Sequence, residues 1–397
     1  MSPQPITEAP AWLGSWVADH EADLIAVRRD LHSHPELGWQ EHRTTALLSE
    51  HLRRAGLRPS LLPSGTGLVC DIGSGSPTVA LRADIDALPL PDVKNVPYRS
   101  TVDGVCHACG HDVHTTVALG AALALHAAPE LPGRVRMIFQ PAEEQTPGGA
   151  LGVMDAGALD GVDRIFALHC DPATDVGRIG VRTGAITAAS DSVEVTLSGP
   201  GGHTARPHLT VDLVYAMGRL ITDLPGLLTR VVDPRASLSL VWGAVQAGVA
   251  PNAIPQSGQV RGTVRMLDRD VWADAEKLVR RLVEEIVAPT GAVAEVNYQR
   301  GVPPVINESR STALIRDAVR ASLGPQGLVG TPQSLGGEDF GWYLDTVPGA
   351  LARLGVRGGR EPGDQHDLHQ GDFDVDERAI AIGVRLMSTL ALISLSG

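Results

Sequence analysis

A cluster of cysteines and histidines between Cys106 and His114 (CHACGHDVH) is the segment of the chain best suited to chemistry. Cysteine and histidine are ligands that zinc and similar cations prefer, and Gly110 lets the backbone turn so that neighbouring side chains converge. A haem c attachment site would need histidine where Gly110 stands, and a thiol redox pair would leave the histidines unexplained. A structural zinc knuckle would need a second close cysteine pair, but Cys70 and Cys170 are far apart in sequence. The segment therefore favours a catalytic metal site.

Other metal-type side chains stand where predicted strands end. They are Asp84 and Asp86 after Thr78–Ala83, Glu143 and Glu144 after Arg134–Gln140, His169 at the end of Arg164–His169, and His366 and His369 in a polar loop near the C-terminus. Each taken alone could equally be a cap, a solvent-facing residue or a structural residue. Ligand sites of open α/β sheets lie beyond the carboxyl ends of their strands, so this shared position predicts one common site. Adjacent side chains such as Glu143 and Glu144 diverge, which allows one to bind metal and the other to transfer protons.

The order of predicted elements indicates two domains. Apolar strands alternate with helices, among them a break-containing helical region over Trp12–Leu57 and a buried helix over Val113–Ala127. This alternation predicts an α/β catalytic domain with a mostly parallel sheet, formed by residues 1–187 and 300–397. Residues 188–299 follow the order β-α-β-β-α-β, which predicts an inserted ferredoxin-like α+β domain.

Composition excludes several classes of protein. The 397 residues include 33 Lys and Arg against 46 Asp and Glu, a formal charge of −13, which disfavours nucleic acid as a partner. Four cysteines in a chain of this length do not make a disulfide scaffold. No signal-peptide pattern opens the chain, and the longest small-apolar stretch, Val117–Ala128, is shorter than the roughly 20 residues of a membrane span. We therefore expect a soluble, cytoplasmic protein with neither nucleic acid nor membrane as a partner.

Nine motifs stand in a recognisable order over nearly the whole chain: RRDLHSHPELGWQE, RADIDALP, HACGHDVHT, FQPAEE, GGHTARPH, NAIP, GTVR, GGEDF and LHQGDFDVDE. In these motifs the chain resembles the aminoacylase/hippuricase-type metal-dependent amidohydrolases. That group contains N-acyl amino acid amidohydrolases and is related to auxin-conjugate hydrolases and dinuclear-metal carboxypeptidases.

The resemblance implies two divalent metal ions per subunit, with zinc or manganese expected ahead of cobalt or nickel. By position, Cys109 would bridge the ions, His111 and His169 would hold one, and Glu144 and His369 the other. Glu143 would be the general base that activates a water at the metal pair. Asp86, with Asp84, would lie behind the ligands and orient them.

The resemblance also assigns roles in the inserted domain, which would act as a lid and form a homodimer. His203 would stabilise the oxyanion, and Asn252 and Arg265 would bind substrate. A surface arginine or a plain turn residue is the simpler interpretation of the last two. Cys106 departs from the family pattern, in which methionine is common at that position, and we interpret it as a packing residue.

The function implied is hydrolysis of N-acyl amino acids to a carboxylate and a free amino acid. A dipeptidase or aminopeptidase of the same superfamily is the enzymatic alternative. A non-catalytic protein that binds amino-acid conjugates is the third, but such a protein should have lost a ligand or the base, and all six positions are intact.

Overall fold

The computed structural model describes residues 6–359 and 366–396, which form helices and strands in alternation. The α-helices are α1 (Ala11–Ser33), α2 (His42–Arg54), α3 (His111–His126), α4 (Ala150–Asp155), α5 (Leu213–Val231), α6 (Arg269–Val287), α7 (Ser309–Leu323) and α8 (Arg378–Ser396). The strands are β1 (Ser60–Leu61), β2 (Leu68–Gly73), β3 (Thr78–Asp84), β4 (Arg134–Gln140), β5 (Arg164–Asp175), β6 (Ile179–Val181), β7 (Gly184–Thr187), β8 (Ala189–Ser198), β9 (Gly202–His203), β10 (Ser239–Ala247), β11 (Ala253–Ile254), β12 (Ser257–Met266), β13 (Val293–Val302), β14 (Val305–Asn307), β15 (Leu328–Gly330) and β16 (Gly349–Arg357). The expected helical region near the N-terminus is interrupted, as predicted, between α1 and α2.

The chain divides into two compact units. The first contains the described residues up to Gly184, together with Ile306–Pro332 and those from Asp339 onward. The second contains Ala185–Val305 and Gln333–Glu338. The short segment 333–338, which the sequence analysis placed in the first domain, thus belongs to the second unit.

The first unit is built on an eight-stranded sheet of order β1-β2-β4-β3-β5-β16-β6-β15. The central strands β4, β3, β5 and β16 are parallel, as is the β6–β15 pair, but β1–β2, β2–β4 and β16–β6 are antiparallel. The sheet is therefore mixed rather than mostly parallel. Two successive parallel strands need a crossover connection of a dozen or more residues. The link from β2 to β3 (74–77) and the link from β5 to β6 (176–178) are too short for one, so the chain reverses direction at both places.

The core of the first unit explains why α3 is buried on every side. Fourteen of its residues are buried, and it packs against α8 and α1. Gly120 permits the close approach of α8, because a Cβ at that position would lie 2.6 Å from Cγ2 of Val384.

Among the described helices α8 alone is long and apolar enough to cross a membrane, but it lies mostly inside the protein, and the core helices of soluble proteins meet the same criterion. The longest apolar segment is thus α8 and not the 117–128 stretch.

The second unit contains an antiparallel sheet of order β10-β12-β8-β13. Its main elements come in the order β8, α5, β10, β12, α6 and β13, with the short strands β9 and β11 inserted after β8 and β10, and α5 packs against both α6 and β10. A buried carboxylate fixes its interior, since Asp191 accepts hydrogen bonds from Trp272 Nε1 (3.0 Å) and Tyr298 OH (2.6 Å). The strands β9 and β11 pair separately and set His203 opposite Ala253.

Candidate metal centre

The predicted ligands of the first unit come from the loop after β4 (Glu144), the interior of β5 (His169), a turn before α8 (His369) and the start of α3. His169 thus lies inside β5, which continues to Asp175, and not at the strand end that the sequence predicted. Cys109 lies in the turn before α3, and His111 is the first residue of that helix. Gly110 between them has φ +86°, and a Cβ there would lie 2.8 Å from Sγ of Cys170. Glycine is therefore required twice over, for its left-handed backbone and for the close approach of β5.

The ligand atoms form two groups that share one thiol. Cys109, His111 and His169 lie within 4.8 Å of one another, and so do Cys109, Glu144 and His369. Sγ of Cys109 is 3.5 Å from Nε2 of His169, and Oε1 of Glu144 is 3.3 Å from Nε2 of His369. The structure thus brings together all five residues predicted to hold metal.

The chemistry of this donor set fits a pair of divalent cations. Thiolate, imidazole and carboxylate are the ligands of zinc and its neighbours, and a shared sulfur lets two ions lie side by side. Nε2 of His111 is buried and has no hydrogen-bond partner among the described residues. A buried nitrogen without a partner is costly unless a ligand uses its lone pair.

Electrostatics indicates that the cluster is rich in buried negative charge. Burial and the charges of Glu144 and Glu143 raise the pKa of the Cys109 thiol well above its usual value. Burial lowers the pKa of His111, but the charge of Asp84 and the hydrogen bond to Asp86 outweigh it and raise that pKa to about 10. A divalent cation would reverse both effects, because it favours the thiolate and the neutral imidazole.

The two histidines that are grouped with Cys109, His111 and His169, are each held through Nδ1, the ring nitrogen that does not face the cluster. Nδ1 of His111 lies 3.0 Å from the carbonyl oxygen of Asp86 and 3.2 Å from its Oδ1. Oδ2 of Asp86 accepts a hydrogen bond of 2.9 Å from the backbone N–H of Glu144. Nδ1 of His169 donates to the carbonyl of Cys170 at 2.8 Å. These contacts direct both Nε2 atoms into the cluster, in the way that outer partners orient metal-binding imidazoles.

His114 is a participant that the sequence analysis did not assign. It lies three residues after His111, on the same face of α3, and Asp84, His111 and His114 also lie within 4.8 Å of one another. Its Nδ1 contacts Oδ1 of Asp84 at 2.6 Å, however, and its Nε2 accepts the N–H of Cys170 at 2.7 Å. Both nitrogens are therefore engaged, and His114 links Asp84 to β5 rather than offering a ligand. The i,i+3 spacing was the signal that could have found it.

Arg82 is a second residue that the sequence analysis left without a role, and it is fully buried. Its guanidinium donates to Asp84 Oδ2 at 2.7 Å and to Asp339 Oδ1 at 2.6 Å. Burial raises the pKa of Asp84, but the charges of His111, His114 and Arg82 outweigh it and keep that pKa well below its usual range. The aspartate of the GGEDF motif is thus linked through Arg82 to Asp84, the carboxylate that contacts His114. An arginine in the otherwise apolar strand TVALRAD was the available signal.

Glu143 lies beside the cluster but in neither of the two groups that share Cys109. Its Oε2 is 3.9 Å from Nε2 of His111, and its side chain is largely buried. Glu144 approaches the same nitrogen at 3.9 Å through Oε1. The two adjacent glutamates therefore both approach His111, but only Glu144 also belongs to a group with Cys109 and His369.

In the second unit the structure brings two of the three predicted residues together. Asn252 lies beside His203, because Thr204 N–H donates to the Asn252 carbonyl at 3.3 Å. His203 is exposed, and its Nδ1 accepts from Ala205 N–H at 3.1 Å, which leaves a proton on Nε2 of the neutral ring. Arg265 lies near the far end of β12 and donates to the carbonyl of Leu335. It is separated from the start of β12 by roughly 26 Å of strand.

Comparison with known proteins gives these residues a family context. The pattern of Peptidase family M20/M25/M40 matches residues 80–393. A Rhodococcus jostii protein named putative glutamate–cysteine ligase 2-3 is 50% identical over 95% of this chain, and the chain spans only 48% of that relative. The N-acetyl-L-cysteine deacetylase of Bacillus subtilis is 39% identical over 91% of this chain and 85% of its own length. A crystal structure of the Bacillus subtilis YXEP protein, described as a dinuclear metal binding peptidase from M20 family, has a TM-score of 0.83 with 36% identity and covers 95% of this chain and 99% of that one.

These matches confirm the resemblance drawn from the nine motifs. Both the family pattern and the relatives cover most of this chain, and the two Bacillus subtilis proteins are matched over most of their own length. The cluster supplies metal-type ligands of the kind that such hydrolases need. The chain belongs to Peptidase family M20/M25/M40 and is a metal-dependent amidohydrolase of that family.

Proposed function

We propose that the protein hydrolyses the amide bond of N-acyl amino acids, releasing a carboxylate and a free amino acid. The observation that carries the proposal is the sharing of Cys109 by two groups of ligand atoms, with Glu143 beside them. Cys109, His111, His169, Glu144 and His369 would hold two divalent cations. When bound, such cations supply Lewis acidity, which polarises an amide carbonyl and makes water more acidic.

Glu143 is the general base in this proposal. It would take a proton from the attacking water and later deliver it to the nitrogen of the leaving amine, which a carboxylate can do only if it is not occupied as a ligand. Glu143 lies beside the cluster and is next in sequence to the proposed ligand Glu144, which supports one glutamate acting as the base and the other as a ligand. Asp86 would fix the positions of His111 and Glu144 relative to each other, because each of them contacts one of its two carboxylate oxygens.

Residues of the second unit would complete the reaction. The Nε2–H of His203 can donate to a developing oxyanion, because Nδ1 already accepts a backbone N–H. Asn252 would bind substrate next to it, and the guanidinium of Arg265 would pair with the carboxylate of the amino acid. We further propose that this unit is a lid of the ferredoxin-like type, supported by its element order.

The separation of these residues within one unit supports a homodimer. His203 and Asn252 lie near the start of β12 and Arg265 near its end, too far apart to touch one small substrate from a single copy. In the proposed dimer, the second unit of each subunit would supply His203 and Asn252 to one active site and Arg265 to the other. The edge strand β10 exposes Val241 and Val245, which a second copy could cover.

N-acetylcysteine is the first substrate to test. The Bacillus subtilis relative is named for deacetylation of N-acetyl-L-cysteine, and the name of the Rhodococcus jostii relative also refers to cysteine. A thiolate ligand also requires reducing conditions, since oxidation would remove it, so we propose that the enzyme acts in the cytoplasm.

The test is a screen of the purified protein reconstituted with zinc, manganese, cobalt or nickel. Acetyl- and benzoyl-amino acids are compared with dipeptides, and released amino acid is quantified by mass spectrometry. We expect higher kcat/KM on an N-acyl amino acid and loss of activity with a chelator. The solved relative described as a peptidase favours dipeptide cleavage as the second candidate, and higher kcat/KM on dipeptides would establish it instead. Binding of N-acyl amino acids without turnover under any metal would overturn both.

A further inference from the structure

The segment Glu36–Glu41, from the HPELGWQE motif between α1 and α2, has no part in the proposed mechanism, yet it contacts both loops that build the site. The carbonyl of Glu36 accepts the N–H of Ala87 at 2.8 Å, next to Asp86. On the other side, the carbonyl of Gly38 accepts Nε2 of Gln145 at 3.1 Å, next to Glu144. The segment therefore bridges the loop of the orienting aspartate and the loop of the two glutamates.

Glu41 makes the contact closest to the proposed base. Its Oε1 accepts the backbone N–H of Ala142 at 2.7 Å, and Ala142 is the residue before Glu143. The side chain of Glu41 is fully buried, and its Oε2 has no hydrogen-bond partner among the described residues. Burying a carboxylate whose partners are backbone N–H groups is costly, so this arrangement is not one that stability alone would favour.

The side chain of Glu41 does not cap α2, although Glu41 occupies the N-cap position of that helix. It stands immediately before α2, where a side-chain oxygen normally accepts a hydrogen bond from the first turn of the helix, but its side chain makes no such bond. Glu36 does so instead, accepting the N–H groups of Arg43 at 2.9 Å and Thr44 at 2.8 Å. Two glutamates of one segment thus have separate tasks, one at the helix and one at the loop.

The loop that Glu41 contacts is strained. Ala142 has φ +54°, in the left-handed region. This conformation costs a residue with a side chain about 1 kcal/mol or more and persists only where its surroundings impose it. Gly38 leaves space for this conformation, because a Cβ there would lie 3.1 Å from Cα and Cβ of Ala142. The backbone of Ala142 sets the direction in which Glu143 and Glu144 leave the loop.

We propose that Glu41 is a positioning residue for amide hydrolysis. Its carboxylate holds the N–H of Ala142, which keeps the strained loop in the conformation that directs Glu143 to the cluster. The catalytic consequence rests on the proposed function, whereas the ordering of the loop can be measured without it.

The test compares E41A and E41Q with E36A as the matched control. Hydrogen exchange of the metal-free proteins is followed by mass spectrometry in peptides covering 140–149 and 42–46, and kcat and KM are measured on the best substrate of the screen. We expect E41A to increase exchange at 140–149 about tenfold or more and to lower kcat about 10- to 100-fold with little change in KM. E41Q retains an acceptor oxygen and should restore most of both. E36A should increase exchange only at 42–46 and leave kcat unchanged.

Three results would overturn the proposal. The first is E41A with exchange at 140–149 like that of the wild type, and the second is E36A that loosens that loop as much as E41A does. The third is E41Q with increased exchange at 140–149 and kcat lowered about 10-fold or more, which is judged against the wild type and therefore decides the matter even if E41A does not fold. If the wild type hydrolyses no amide, the proposed function fails, but the exchange data still decide whether Glu41 orders the loop.

Discussion

The two units of the molecule present their candidate site residues in opposite ways. In the first unit Cys109 and His111 are buried, and His111 is fixed by hydrogen bonds through the nitrogen that does not face the cluster. In the second unit His203 and Asn252 are exposed, and the ring of His203 has a single hydrogen bond from its own loop. Apart from His369, whose side chain is 53% exposed, the metal-type cluster is thus built in advance by the fold, whereas the residues of the second unit lie on its surface.

This contrast indicates which residues must be held in place before a cation or a substrate binds. Charges buried in a region of low dielectric interact strongly, so ligands must be held in place before a cation arrives. Exposed donors interact weakly until a substrate or a second copy excludes water from them. Substitutions of the metal-type ligands in the first unit should therefore affect both metal binding and chemistry, and those of His203, Asn252 and Arg265 in the second unit should affect chemistry alone.

The largest effect is expected from C109A, because it removes the one side chain common to both ligand groups. We expect the protein to retain less metal after dialysis and to lose activity by more than about a thousandfold. Elemental analysis of the purified protein measures the metal. The control is C106A, a buried cysteine outside both groups, which should keep its metal. Equal metal content in C109A and C106A would show that Cys109 is not a ligand.

E143Q should separate chemistry from metal binding within the first unit. The amide cannot accept the proton of water, so we expect kcat to fall about 10²- to 10⁴-fold while metal content and thermal unfolding stay as in the wild type. Steady-state kinetics with elemental analysis measures both. E130Q, at an exposed position, is the control. A near-normal rate in E143Q would place the base elsewhere.

H203N tests whether the exposed residues act in the chemical step. Loss of one donor to the oxyanion should lower kcat about 10²- to 10³-fold without any change in metal content. H208N is the matched control, since His208 is exposed in the same loop region. If H203N lost metal, the contrast between the units would be broken. If its kcat were that of H208N, the oxyanion role would be wrong.

The smallest effect concerns the pH dependence of stability in the metal-free protein. Burial, with a contribution from the charge of Asp86, raises the pKa of Glu41 from 4.5 to about 7. The folded state therefore binds this proton more tightly than the unfolded state, so the unfolding free energy of the wild type should fall as pH rises from about 4.5 to 7. E41Q lacks the titration, so its stability relative to the wild type should increase over that window, on the order of 2 kcal/mol. Urea denaturation at pH 5 and pH 8 measures this, and a constant difference between the two proteins would contradict it.

Much of the site could be predicted because its ligands belong to few residue types at telling positions. Cys109, His111 and His169 stood out beside glycine or at strand ends, and the structure brings them together. Glu41 could not be predicted in this way, since a glutamate before a helix is indistinguishable in sequence from an ordinary cap. Arg82 and Asp339 were missed for a related reason, because their pairing joins residues 257 positions apart. The roles of His203, Asn252 and Arg265 stay predictions until they are measured.

The periodic elements, the alternation typical of an α/β domain and the metal-binding residue types could be predicted from the sequence, because they depend on local spacing and side-chain chemistry. Other features depend on how distant segments pack. Links of three or four residues made the sheet mixed, and packing buried the apolar α8 in the core of the first unit. It also decided which nitrogen of His111 faces the cluster and which glutamate holds the loop of Ala142. These outcomes depend on contacts between segments distant in the chain, and only burial makes such contacts strong enough to select one arrangement.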